Sequence, residues 1–339
     1  FGMFAGKYNT TSDNDVMIGG NAGCCASPSS SSVLIGYNAG RGASGAAKHT
    51  ASGTIAIGGN AGCVITTGAA NLYIGKDAGR CQCTGGYNIA FGNDALKGSS
   101  TLTANTGGCN VAIGKQAGEK TTSGFSNVFI GKQAGCASTT GCKNIAIGLN
   151  ALAVNSTTGY DNIFIGSYSG GKTESGFYNI AFGYKSACCV TSGAYNVFLG
   201  RCSGFHVTTG YFNTLIGAQT FVGASGCKNT LVGLSAGNSS LTGDYNSIFG
   251  HSSGNNLTSG CCNVIIGKDA EVPSATGNRQ LAIGIGATPW ISGDSNCNVG
   301  IGTTNPTATP GAGSTSILAV GIVSAYMLYG DGSNLTNAG

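Results

Sequence analysis

Charge is scarce in this chain: only 8% of its 339 residues are Asp, Glu, Lys or Arg, against a usual ~25%. The 16 basic and 12 acidic residues are spread thinly and leave a net charge of +4. No basic cluster forms the electrostatic footprint of a nucleic-acid groove, so nucleic acid is not expected as a partner. Histidine is limited to His49, His206 and His251, far apart in the chain. No carboxylate pair recurs at facing positions, and no phosphate-loop pattern occurs. An enzyme, a metal site and a bound cofactor are therefore not expected. Apolar runs of the length that crosses a membrane are missing too, so this segment is not expected to insert in one. A secretory leader pattern is also absent.

What the chain has in excess is glycine, 61 residues, together with 15 cysteines and 41% hydrophobic residues. Gly-rich chains of low charge are often disordered, but those lack apolar periodicity. Here a phrase recurs, as in "SNVFIGKQAG" at 126–135 and "KNIAIGLNAL" at 143–152. The glycine ending each apolar triplet serves as an anchor, from Gly2 and Gly19 through Gly131 and Gly148 to Gly284 and Gly302. Twelve of the seventeen intervals between anchors are 17 residues; two are 18, one is 16 and two are 22. Because Gly2 already fits this series, the sequence is expected to start inside a longer repeat array.

Each repeat holds one short β-branched run bounded by Gly and Asn, which is a strand signal. Four residues are too few for a helix, and the flanking glycines disfavour one. A unit of this size cannot bury its own core, so the units must stack. The expected fold is all-β: a parallel β-solenoid (β-roll or β-helix) of about 18 coils over 1–302, roughly 85 Å long at the inter-strand spacing. Residues 303–339 read as a Pro/Gly-containing transition to a further fibre module.

Strand alternation puts the two flanks of each triplet on one face and its centre on the other. The flanks, such as Val128 and Ile130 or Ile145 and Ile147, are assigned to the inside. The centres would then point outward: Met17, Leu34, Tyr73, Phe129, Phe164, Phe198, Leu215, Leu231, Ile248 and Ile265, with alanines between several of them. None of the centres is charged. A stripe this apolar exceeds what a monomer usually exposes, so these residues are expected to form an interface between copies. The alternation of large and small centres suits interdigitation with a neighbour.

Ahead of the triplet an asparagine recurs: Asn71, Asn88, Asn110, Asn127, Asn144, Asn162, Asn179, Asn196, Asn213, Asn229, Asn246 and Asn263. Stacked amides can bond to one another as a ladder, or each can serve its own turn. The cysteines fall in the turns on either side of the strands. Cys136 and Cys142 could bridge within one coil. The vicinal pairs Cys24–Cys25, Cys188–Cys189 and Cys261–Cys262 could instead link neighbouring chains. Free thiols acting as small hydrophobes are the alternative. Two insertions, near 41–52 and 97–107, carry Lys48, His49 and Lys97 and are either ligand loops or tolerated surface loops.

The phrase "NVAIG" followed by "xxAG" resembles the head repeat of trimeric autotransporter adhesins, the YadA-like head, over residues 1–302. That resemblance implies three parallel β-rolls about a threefold axis, with the triplet centre facing the axis. The repeat here is longer than in that family. The tail "VGIGTTNP…GDGSNLT" within 298–339 resembles modules of bacteriophage tail fibres. Together the resemblances imply a homotrimeric fibre on a virion or cell surface, extracellular, meeting a cell-surface receptor or glycan. A bacterial adhesin head is the alternative. An ice-binding solenoid is a further one, raised by Thr66, Thr122, Thr139, Thr191, Thr208 and Thr258, which recur at one turn position.

Overall fold

The computed structural model describes residues 1–9, 13–26, 30–42, 49–101, 105–153, 158–296 and 298–302. The tail module at 303–339, Lys48 and Cys297 lie outside them. Fifteen three-residue strands, β1 (Val16–Ile18) to β15 (Val264–Ile266), recur once per repeat, and β16 (Leu281–Ile285) follows. Each pairs in parallel with the next without a shift. In β7 (Val128–Ile130), Phe129 sits against Ala112 on one side and Ala146 of β8 (Ile145–Ile147) on the other. The chain is thus a parallel β-solenoid, whose sixteen stacked strands span roughly 70 Å at ~4.8 Å per coil.

Hydrogen bonds between coils do not stop at the strands. Val128 N–H donates to the Asn144 carbonyl at 2.8 Å, and Gly131 N–H to the Ile113 carbonyl at 2.8 Å. In the following turn, Gln133 N–H donates to Lys115 at 2.9 Å and Gly135 N–H to Ala151 at 2.8 Å. Aiming these groups along the axis requires left-handed kinks. Gln133 has φ +58° and Asn150 φ +53°; five before the anchor, Ser126 has φ +56° and Lys143 φ +57°. Such a φ is uncommon for side chains other than Asn, Asp and Gly, yet the repeat holds it in coil after coil.

The anchor glycine has two reasons to be glycine. Gly131 has φ +126°, and a Cβ there would stand 2.7 Å from the Gly148 carbonyl oxygen. That neighbour is backbone and cannot turn aside.

The strand faces are opposite to the sequence expectation. Leu34, Tyr73, Phe129, Phe164, Phe198, Leu215, Leu231, Ile248 and Ile265 are fully buried inside a single chain, and Met17 is partly buried against the same core. They are core residues here, not an outward interface. The flanks face out: Val16, Ile18, Ile89 and Phe91 are exposed, and Val128 and Ile130 half-exposed. Alternation says which residues share a face but not which face is enclosed. The rest of the coil decides that. Ala134 and Gly135, just after the strand, fold back against the centre, and the buried Asn127, two residues before Phe129, shares its side of the strand.

The large–small alternation is likewise satisfied within the chain. A Cβ on Gly135 would run into the Phe129 ring, as one on Gly170 would meet Phe164 and one on Gly79 meet Tyr73. Where the centre is Ala90 or Ala146, that glycine is replaced by Leu96 or Leu152, both fully buried. Both leucines keep the left-handed turn, at φ +46° and +52°. A ring plus glycine and an alanine plus leucine are two fillings of one cross-section.

Regular stacking ends at β16. β17 (Thr288–Gly293) turns back antiparallel on it, and β18 (Val299–Ile301) pairs antiparallel with β17. Gly302 therefore does not stack on Gly284 as the period implied; its φ is +73°, against +131° at Gly267. A turn through Gly286 (φ +67°) reverses the chain and ends the coil geometry.

Candidate functional surfaces

Two columns run up the outside of the sheet, one from each flank of the triplets; the trailing one is apolar throughout, while the leading one is interrupted by Thr214, Thr230 and Ser247. Exposed members include Val16, Ile18, Ile55, Ile89, Phe91, Ile113, Phe182, Ile216, Phe249, Val264 and Ile266. The strands between them are partly shielded by their neighbours. The trailing column is a continuous apolar stripe along the sheet, the feature that the sequence placed on the centres.

Behind it stands a buried polar spine. Asn144 donates from Nδ2 to Asn127 Oδ1 at 3.3 Å and to the Gly159 carbonyl at 2.8 Å, while its backbone N–H donates to Asn127 Oδ1 at 2.9 Å. Its own Oδ1 accepts from the Asn162 backbone N–H and Nδ2 at 3.1 and 3.0 Å. Such coil-to-coil bonds link Asn71, Asn88, Asn110, Asn127, Asn144, Asn162, Asn179, Asn196, Asn213, Asn229, Asn246 and Asn263, with Gln280 ending the row. Both alternatives read from the sequence meet here, since each amide bonds to the next asparagine or to a turn carbonyl. A second, shorter row was not foreseen: Asn21, Asn38 and Asn60 pass amide bonds of 3.1–3.2 Å up to Asp77. Its signal was the recurrence of Asn and Asp two after the anchor, where a left-handed φ suits them.

The recurrent threonines donate their hydroxyls to backbone carbonyls of the next coil. Thr66 bonds to Cys83 at 2.9 Å, Thr122 to Thr139 at 3.1 Å, Thr191 to Thr208 at 3.3 Å and Thr258 to Ala275 at 3.2 Å. Those protons are not presented to solvent.

Fourteen cysteines fall among the described residues, and all are free thiols, including Cys136 and Cys142. In the vicinal pairs the sulfurs of Cys24 and Cys25 lie 3.3 Å apart, and those of Cys188 and Cys189 3.5 Å, beyond the ~2.05 Å of a disulfide. Burial, and then the neighbouring thiol, push Cys24 up to about 11 and Cys188 up to about 12. Burial also raises Cys63, Cys81 and Cys136. These thiols stay protonated at neutral pH, which suppresses thiolate chemistry. Cys261 is half-buried and Cys262 exposed.

The described residues of the insertions offer little free charge. His49 is buried, and burial lowers it to about 4, so its ring is neutral at pH 7. Lys97 is held by Asp94 at 3.1 Å and Glu119 at 3.8 Å. Among the described residues, no group of three or more His, Cys, Asp or Glu side chains is placed to hold a metal ion. No helix among them is long and apolar enough to cross a membrane.

Aromatic side chains gather on one stretch. Tyr160 stacks on Phe177 with ring centres 5.1 Å apart, Tyr178 on Tyr195 at 5.1 Å, and Tyr195 on Phe212 at 4.7 Å. All but Phe177 are exposed. Compared with known proteins, the chain matches no family model and no curated protein. What the chain is shown to be is a repeat protein with a parallel β-solenoid fold.

Proposed function

We propose that the chain is a structural segment of an extracellular fibre, displayed on a virion or cell surface, which assembles as a homotrimer and has no catalytic role. One observation carries this reading: the trailing outer column of the sheet, from Ile18 to Ile283, is apolar in every coil. Fully burying one exposed Ile or Phe is worth ~1.5–3 kcal/mol, so a column of them favours strong lengthwise association. The number three and the phage-type setting come from the resemblance of the repeat to YadA-like heads and of the tail to tail-fibre modules. A bacterial adhesin head remains the second reading on the same repeat. Ice binding loses ground because the threonine hydroxyls already donate to backbone carbonyls.

Sedimentation equilibrium tests the reading with variants on opposite strand faces. The wild type is expected at three times the chain mass. Replacing the outward Ile89, Phe91 and Phe182 with Asp is expected to yield folded single chains. Replacing the inward Phe129 with Asp is expected to unfold the coil rather than dissociate it. A wild-type chain that sediments singly, fully folded, overturns the proposal.

A further inference from the structure

The aromatic cluster occupies four consecutive coils and leaves a surface hollow of about 260 Å³. Its walls are Phe177, Tyr195, Tyr211 and Phe212, with Ser192 and Thr209 beside them. No charged side chain lines it. Phe177 and Tyr195 meet edge to face at 5.4 Å and 81°, while Tyr195 and Phe212 lie nearly parallel at 12°. The hollow therefore offers ring faces in two orientations.

The fold does not require these rings. Tyr178, Tyr195 and Phe212 sit at the left-handed kink, with φ +52°, +58° and +57°. Ser126, Lys143, Asp161 and Lys228 hold the same kink in neighbouring coils. Nor do the rings follow the outer trailing column, which stays apolar through the whole stack. A partner copy lying lengthwise over the kink column would also cover Lys143 and Asp161 on one side and Lys228 on the other. The cluster is local where that interface is continuous.

We infer that this hollow binds carbohydrate, taking pyranose rings of a neutral glycan against Tyr195, Phe212 and Phe177. A pyranose offers C–H groups of slight positive charge on its face, which suit the negative face of an aromatic ring. Its edge hydroxyls suit Ser192 and Thr209. The absence of charge in the lining fits a neutral ligand. Stacked rings also suit nucleic-acid bases, but those need a basic track for the phosphates. Lys228, whose Nζ lies 5.8 Å from the centre of the Tyr211 ring, donates to the Tyr245 hydroxyl at 2.6 Å. The hollow is smaller than the ~300–1,000 Å³ of pockets that enclose a whole ligand. Its size suits a short stretch of an extended sugar chain lying along the rod. The inference gives the displayed fibre a partner class and rests on the chain being displayed at a surface; it does not depend on trimer formation.

Saturation-transfer NMR and affinity electrophoresis with chitohexaose, cellohexaose and mannohexaose test it on the whole chain. The wild type is expected to bind at least one of them. Tyr195→Ser and Phe212→Lys, which install residues that the same kink tolerates elsewhere, are each expected to weaken binding about tenfold. Tyr87→Ser, at an exposed ring remote from the hollow, is expected to leave it unchanged. Circular dichroism identifies any variant that has lost its fold, in which case the other variant decides. Four results overturn the inference: no binding of any of the three by the wild type, unaltered binding by both folded variants, preferential binding of oligo(dT), or a change of sedimenting mass in the two variants. Wild-type chains that sediment singly but bind sugar would sink the trimer and leave this site standing.

Discussion

The coil centred on Phe129 and the next one, centred on Ala146, share the backbone of the strand and of the left-handed turn after it, and have different interiors. In the first a ring fills the cross-section and Gly135 clears space for it. In the second Ala146 leaves the space and Leu152 enters from the turn. Both coils bury their centres completely and pair in register. These two coils therefore keep the filled volume while exchanging residue types, as close packing demands, whereas Ala56 with Gly62 and Ala112 with Gly118 are coils in which both positions are small. What cannot vary between them is the backbone contact: Gly131 meets Gly148, and Gly148 meets Gly166.

Breaking that shared contact should have the largest effect. Gly131→Val places a branched side chain at φ +126° against the Gly148 carbonyl. We expect a loss of more than about 4 kcal/mol, enough to interrupt stacking at this coil. Urea denaturation and amide exchange of β7 and β8 would register it; a variant as stable as the wild type would discredit the close-approach argument.

Exchanging the two fillings is the sharper experiment. Phe129→Ala alone should cost about 3–5 kcal/mol for the lost ring and the cavity. Gly135→Leu alone should be destabilising through its clash with that ring. Combined, they recreate the Ala146–Leu152 arrangement and should recover most of the loss. The coupling in a double-mutant cycle of denaturation midpoints is the readout, and additive losses would refute compensation.

The polar spine common to both coils gives a smaller effect. Asn144→Ala removes the side-chain bonds to Asn127 and Gly159 and leaves the Asn162 backbone N–H without its acceptor. A loss of about 2–3 kcal/mol is expected, measured by thermal unfolding. A shift of less than a few tenths would mean the ladder is incidental.

Much was legible before the fold was known. The 17-residue period, the strand at each triplet, the parallel stacking and the asparagine row all follow from spacing and residue type. The faces were not legible from the triplet, because "VFI" and "IAI" are apolar at every position and the alternation rule carries no sign. The sign was available elsewhere. Asn127 and Phe129 share a side, and an amide ladder is worth most when shielded from water, so the centre belonged inside with it. The hairpin that ends the stack was hidden for another reason. Gly302 falls 18 residues after Gly284 by sequence, and only the turn at Gly286 breaks the series.

The sequence alone thus determined that the chain coils, how often, and which residues rise in common columns, because periodicity acts through local geometry and inter-coil hydrogen bonds. Which column is enclosed was decided only by the tertiary structure. Enclosure depends on where the turns bring the chain back, and no three-residue strand contains that information. The same holds for the aromatic hollow, whose walls come from three successive coils and exist only once those coils are stacked.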